Sequence, residues 1–330
     1  MANASHVPFG WDFQVNAAIV FFVENIKDVR RVRIEGASED IELELNSGKY
    51  VFAQAKSVVR ESDVHNVRGK LYSALETLDV ASKPGNVEKF VYVTNSPNPF
   101  AIEKTMGSFV DRTIRKFDEL PQECQEIIEK RMKSKSYENL DLAKFEVHVI
   151  PFFTDNEIER YKIVMRTIER LTYKINESGM SAQLHRTWKE MFSFNSSQSD
   201  TSLTLTKNQL IWPIIVIKSE VTENSQIFDE YDSAEVDEIL RKYREFIDDR
   251  VEHIEFSMTV VNRFSQYSSE TSGSRKEKIE KFIETHYKCY LTELGLSEAD
   301  PFGEILVKLI LDRVLKNRLL IERIREEVNL

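Results

Sequence analysis

The stretch Asp40-Ile41-Glu42-Leu43-Glu44-Leu45, then Asn46-Ser47-Gly48-Lys49, then Tyr50-Val51-Phe52-Ala53-Gln54-Ala55-Lys56, reads as two strands joined by a turn. Ile and Leu alternate with Glu in its first part, the period of two that marks a strand with one face against a core. Asn46-Ser47-Gly48 supplies the reversal, because Asn and Gly tolerate the left-handed backbone that tight turns need. Upstream, Val29 to Ile34 alternates Val and Ile with Arg and adds a third strand to the meander. Further back, apolar residues at 11, 15, 18, 19, 22, 23 and 26 follow helical spacing from Trp11 to Ile26. Downstream, Ser62 or Asp63 can cap a helix through Leu71, Leu75 and Leu78 that ends before Lys83-Pro84-Gly85. Lys89 to Thr94 has the continuous apolar pattern of a strand buried on both faces, and Asn95-Ser96-Pro97-Asn98-Pro99 ends it. Residues 101–135 are mostly helical by composition, and Phe145 to Phe153 is a second buried strand. The predicted order to that point is α-β-β-β-α-β-α-β. Asn156 to Ile175 follows as a helix capped by Thr154 or Asp155.

The same stretch carries the candidate chemistry. Cleaving a phosphodiester at neutral pH calls for a divalent cation, hard oxygen ligands to hold it, and a cation or base beside the attacking water. Asp40 opens one strand, and Gln54 and Lys56 lie on one side of the next by alternation. Ala55 points away but offers a backbone carbonyl to a metal. Hairpin pairing brings Asp40 close to Gln54 and Lys56, and Glu42 shares the face of Asp40. An exposed strand bearing Asp, Glu, Gln and Lys is common by itself, so the surrounding order of elements carries the assignment.

Asp40 ahead of a turn and a Gln-x-Lys strand, with a helix before and a helix and buried strand after, resembles the PD-(D/E)xK nuclease superfamily. Ile34-Glu35-Gly36-Ala37-Ser38-Glu39-Asp40-Ile41-Glu42-Leu43 with Phe52-Ala53-Gln54-Ala55-Lys56 is similar to Mrr-type restriction enzymes and to effector nucleases of bacterial antiphage systems. Phe13-Gln14 and Tyr92-Val93-Thr94-Asn95-Ser96 look similar to the same group. The resemblance implies a restriction-endonuclease-like α/β (α+β) fold, a mixed sheet flanked by helices over residues 1–155. It implies catalytic roles for Asp40, Gln54, Lys56 and Glu35. It implies Mg2+, with Mn2+ as substitute, held by Asp40, Gln54, the Ala55 carbonyl and Glu42. Gln54 departs from the acidic residue of the superfamily pattern, and a neutral amide is the weaker ligand for a hard cation.

Residues 156–330 read as a mainly helical regulatory or assembly domain. Met180 to Phe194 looks helical, Ile211-Trp212-Pro213-Ile214-Ile215-Val216-Ile217 looks strand-like, and helices are expected near 233–265, 275–294 and 302–328. Ser265 to Ser274, with five serines in ten residues, reads as a flexible loop. The layout of an N-terminal effector nuclease with a helical C-terminal region is similar to the nuclease subunit of Lamassu-type defence complexes. That similarity implies an SMC-like ATPase and a small accessory subunit as partners.

Composition constrains the rest. The formal charge is −10, yet residues 1–100 carry 11 basic and 13 acidic side chains, while Glu220 to Glu255 holds 13 acidic against 4 basic. The acidity is therefore local, a solvated helix face or a docking face for a basic partner, and double-stranded DNA stays open as substrate. Cys124 and Cys289 stand far apart with no His or Cys at ligand spacing, which argues against a disulfide framework and a zinc site and suits a reducing cytoplasm. The run Ala17 to Val23 is too short to span a bilayer, so no membrane segment is expected. No Gly-rich phosphate loop or dinucleotide fingerprint is present. His65 at a helix start, the basic strand edge Arg30, Arg31 and Arg33, and Trp188 with Phe192 read first as surface, solvated edge and core. The expected activity is metal-dependent cutting of double-stranded DNA with little sequence readout, in an oligomer, since two strands need two sites. The alternatives are an inactive nuclease-like DNA-binding or assembly subunit, and a restriction enzyme whose cutting follows methylation.

Overall fold

The computed structural model describes residues 6–36, 40–60, 66–81, 86–153, 156–200, 202–221, 226–248, 253–297 and 299–330. Ser62, Asp63, His65, Lys83-Pro84-Gly85, Thr154 and Asp155 lie outside the described residues. The chain divides into two compact units, Met1–Lys207 and Asn208–Leu330.

The first unit opens with α1 (His6–Glu24), followed by a meander of β1 (Val29–Ile34), β2 (Ile41–Leu45) and β3 (Tyr50–Lys56). Then come α2 (Val67–Ala81), β4 (Val87–Thr94), β5 (Thr113–Lys116), α3 (Gln122–Lys135) and β6 (Phe145–Val149). The unit closes with α4 (Glu157–Arg160), α5 (Lys162–Lys174), α6 (Ser181–Ser196) and β7 (Leu205–Thr206). The seven strands form one mixed sheet in the order β5-β6-β4-β3-β2-β1-β7. β1, β2 and β3 pair antiparallel, with Ile41 opposite Ala53 and Glu42 opposite Phe52. β4 pairs parallel to both β3 and β6, which places Gln54 beside Tyr92 and Lys56 beside Thr94.

The sheet has a core on each face. On one, Leu71, Leu75 and Leu78 of α2, spaced one to two turns apart, pack with Phe52, Phe90, Tyr92, Phe145 and Val147. The other face is covered by α1, whose residues 13–22 are all buried. A helix apolar on every side has to be covered on every side. β1, β2 and β3 of the sheet pack on α1, and α5 and α6 pack on it as well. Trp188 is wholly buried, edge-on to Phe22 with ring centroids 5.5 Å apart. This packing, with β7 pairing to β1, moves the boundary from the expected 155/156 to 207/208.

The second unit holds α7 (Lys207–Lys218), α8 (Ser233–Asp248), α9 (His253–Glu270), α10 (Arg275–Glu293), α11 (Gly303–Lys316) and α12 (Arg318–Val328). α11 is its centre, with Val307, Leu309, Leu311 and Leu315 fully buried and α8, α9 and α10 packed around it. The strand expected over 211–217 is the helix α7 instead. Short apolar runs do not distinguish a buried strand from a buried helix. Burial of Leu210, Ile211, Ile214 and Ile215 at helical spacing outweighs the roughly 3 kcal/mol penalty of Pro213 inside the helix. Trp212 adds a hydrogen bond from Nε1 to the Ile247 carbonyl at 2.7 Å. The serine-rich loop is also shorter than expected, because α9 continues to Glu270 and Ser265 bonds back to the Val261 carbonyl. β5 was hidden inside a segment of helical composition. Among the described residues no helix is long and apolar enough to cross a membrane.

Asn95 knits the strand ends of the first unit together. Its Oδ1 accepts the Val58 N–H, and its Nδ2 donates to the carbonyls of Val58 and Phe152, each at 2.7 Å in a fully buried setting. Asn95→Ala strands these buried groups and is expected to cost about 2–4 kcal/mol of stability, read from urea unfolding midpoints with an unchanged slope.

Candidate active site

The turn at 46–49 and the register of β2 on β3 bring Asp40 to the end of β3. Its Oδ2 accepts the Ala55 N–H at 2.9 Å and the Lys56 ammonium at 3.1 Å. The same ammonium donates to Gln54 Oε1 at 2.8 Å. Gln54 is 2% exposed, while the Lys56 and Asp40 side chains are 24% and 21% exposed. The constellation is thus buried at Gln54 and partly open at Asp40 and Lys56. Asp40, Gln54 and Lys56 meet as the alternation of β3 requires. Ala55 contributes its N–H to Asp40, a contact separate from the carbonyl expected of it as a metal ligand.

Glu35 takes a left-handed backbone (φ 53°) at the end of β1, and its N–H donates to the Asp40 carbonyl at 3.0 Å. Its carboxylate accepts Gln14 Nε2 from α1 at 2.9 Å, and that same nitrogen donates to the Asp40 carbonyl at 2.9 Å. Glu42 shares the face of Asp40, but its carboxylate lies over Gly36, where a Cβ would collide with it. Lys70 of α2 brings a second ammonium beside the site, 2.5 Å from the Ser57 carbonyl.

Among the described residues no three His, Cys, Asp or Glu side chains form a metal cage. The oxygens do fit a hard cation in one respect. Asp40 Oδ2 and Gln54 Oε1 converge on a single positive group, the Lys56 ammonium, which occupies the kind of position a cation takes. Mg2+ keeps most of its water and needs only one or two protein carboxylates; the Asp40 carboxylate lies at this point, and the Glu35 carboxylate bonds the same Gln14 nitrogen that reaches the Asp40 carbonyl.

A second polar cluster sits on the other side of α1. Asp12 receives Lys189 Nζ at 2.6 Å and the Tyr161 hydroxyl at 2.8 Å, and Asn16 Nδ2 donates to the Asp12 carbonyl at 2.7 Å. With its amide so oriented, Asn16 Oδ1 accepts from His185 Nε2 at 2.7 Å. Burial, aided by the Lys189 ammonium, pushes the His185 pKa down to about 4. Tyr161, His185 and Lys189 line a groove of about 640 Å³ between α5 and α6, with Arg166 and Arg186 at its rim. None of Asp40, Gln54 and Lys56 lines it. The sequence carried a signal for this cluster that composition alone did not interpret, since Asp12, Gln14 and Asn16 interrupt an otherwise apolar helix.

Other expected contacts resolve into structure. Arg30 and Arg31 pair with Glu44, and Arg33 is buried and donates to the Leu203 carbonyl at 2.8 Å, so it is not available to a DNA backbone. Trp188 and Phe192 are core. In the acidic segment, Arg241 bridges Glu238 and Glu245 along α8, and Lys242 holds Asp300 at 3.0 Å. Cys124 is buried and Cys289 exposed, both free.

No family model matches the chain. No curated protein matches it either. Among solved structures, the chain is similar to an Acinetobacter baumannii Cap4 SAVED/CARF-domain containing receptor with the cyclic trinucleotide 3'3'3'-cAAA, at 15% identity and a TM-score of 0.39. That overlap covers 63% of this chain and 44% of the receptor. The Moraxella osloensis Cap4 SAVED/CARF-domain containing receptor gives 14% identity and a TM-score of 0.35, over 64% of this chain and 48% of its own. The chain therefore spans less than half the length of either receptor. Likenesses at this level leave the activity to be argued from the residues.

His185 gives the cluster a pH signature. The unfolded chain protonates this histidine near 6.5 and the folded chain only near 4, so between those values the unfolded state binds more protons. Stability is expected to fall as pH drops from 6.5 towards 4. Urea unfolding of wild type and His185→Gln at pH 6.5 and 4.5 checks this, with a smaller drop expected in the variant. Burial also lowers the pKa of His148, which supplies part of the drop that remains.

Proposed function

We propose that the first unit is a metal-dependent endonuclease acting on double-stranded DNA. The observation that carries the reading is the convergence of Asp40 Oδ2 and Gln54 Oε1 on the Lys56 ammonium at 3.1 and 2.8 Å. Asp40 and Gln54, with Glu35 near by, would hold Mg2+ or Mn2+. Such an ion, when bound, stabilises charge on the phosphate and makes its water more acidic. The Ala55 N–H bonds to the Asp40 carboxylate and fixes it against the end of β3. Lys56 is already desolvated on one side and can move from Asp40 to a phosphate oxygen, where its charge opposes the negative charge gained in the transition state. Gln54 as a neutral ligand lowers the net negative charge of the site, which weakens the hold on the cation but also lessens repulsion of the DNA backbone.

The wider setting of this activity rests on the sequence resemblance. In it the enzyme is an antiphage effector, restrained by an SMC-like ATPase and a small accessory subunit and cutting as an oligomer. An inactive nuclease-like assembly subunit is the competing reading, and Gln54 is the residue that favours it.

Plasmid cleavage decides between them. The purified chain with Mg2+ or Mn2+ is expected to nick supercoiled plasmid, and EDTA is expected to abolish the product. Asp40→Ala and Lys56→Ala are each expected to lower the rate by about 10²–10⁴-fold. A chain freed of its partners that is folded, binds DNA and leaves it uncut with either metal is the inactive subunit.

A further inference from the structure

Gln14 is a polar side chain, 7% exposed, in a helix buried along its whole middle, and the chemistry above assigns it nothing. Both of its partners, the Glu35 carboxylate and the Asp40 carbonyl, are acceptors, so the NH₂ end of the amide must face them. One nitrogen thereby ties α1 to both ends of the connection between β1 and β2. Glu35 adds a second tie, since its own N–H also reaches the Asp40 carbonyl. A left-handed backbone at a residue with a Cβ is costly and persists only where its surroundings hold it in place.

We infer that Gln14 is a positioning residue for the metal-holding carboxylates. It sets the direction of the Glu35 carboxylate by hydrogen bonding to it, and sets that of Asp40 by pinning the peptide at its Cα. The inference rests on the nuclease reading, since it presumes that Asp40 and Glu35 hold a cation. Two features of the structure favour it over a purely architectural role. Gln14 bonds to the side chain of one candidate ligand and the main chain of the other. Asp12, two residues earlier on the same helix, is anchored by Lys189 and Tyr161, so Gln14 is presented from a helix that cannot easily slide or rotate. Carboxylates that ligate metals are commonly oriented in this way, and loss of the orienting partner costs roughly 10–100-fold in affinity or activity.

The test is Mn2+ binding by titration calorimetry on the folded full-length chain without DNA, alongside urea unfolding of the same samples. Gln14→Leu removes the amide, Gln14→Glu keeps the shape but removes the donor, and Gln14→Asn keeps the amide one methylene short. Asp40→Ala locates the ion. The expected result is Mn2+ binding by wild type that is lost in Asp40→Ala, weakened about 10–100-fold in Gln14→Leu and Gln14→Glu, and weakened less in Gln14→Asn. Should Gln14→Leu fail to fold, Gln14→Glu and Gln14→Asn still give the comparison. Unchanged Mn2+ affinity in folded Gln14 variants, whatever their unfolding midpoints, overturns the inference and leaves the nuclease reading intact. Wild type that binds no Mn2+, or binds it equally in Asp40→Ala, overturns both.

Discussion

The first unit depends on one constraint, that the largely apolar α1 is buried on every side over residues 13–22 and must be enclosed. A single sheet face encloses half of such a helix at most. The other half requires α5 and α6, which lie more than 130 residues downstream. Their recruitment draws the chain as far as Lys207 into one compact unit and places β7 at the edge of the sheet. Trp188 and Phe192, each fully buried, show where that closure is made.

Enclosing α1 also determines what its few polar residues can do. A buried polar group needs a partner, and the partners of Asp12, Gln14 and Asn16 lie on three different elements. Asp12 and Asn16 find theirs on α5 and α6 or beside them, and Gln14 finds its partners at the mouth of the β1–β2 connection. One rigid helix therefore carries the anchors of two polar clusters. The candidate active site inherits its rigidity from the core and from the tight hydrogen bonds of Asn95 just beyond the C-terminal ends of β3, β4 and β6, next to Lys56.

The meander and its chemistry were legible because strand period and hairpin register are local properties. Asp40, Gln54 and Lys56 are separated by few residues and one turn, so their meeting follows from alternation. The α2 face was legible for the same reason, since Leu71, Leu75 and Leu78 repeat at the spacing of one helix face. The domain boundary, β5 and α7 were not legible. Each depends on what packs against it rather than on its own pattern, and the run around Pro213 is a helix only because its apolar residues are buried at helical spacing.

The sequence by itself determined the order of elements up to β6 apart from the short edge strand β5, and it determined which side chains share the face of β3 with Lys56. Local periodicity and turn chemistry are enough for both. Only the tertiary structure decided that the Ala55 N–H reaches the Asp40 carboxylate and that the Glu42 carboxylate lies over Gly36. It also decided that Arg33 is buried and that Gln14 bonds to Glu35 and Asp40. Those outcomes turn on distances between segments remote in the chain, and such distances are set by how the faces of α1 are covered rather than by any pattern along it.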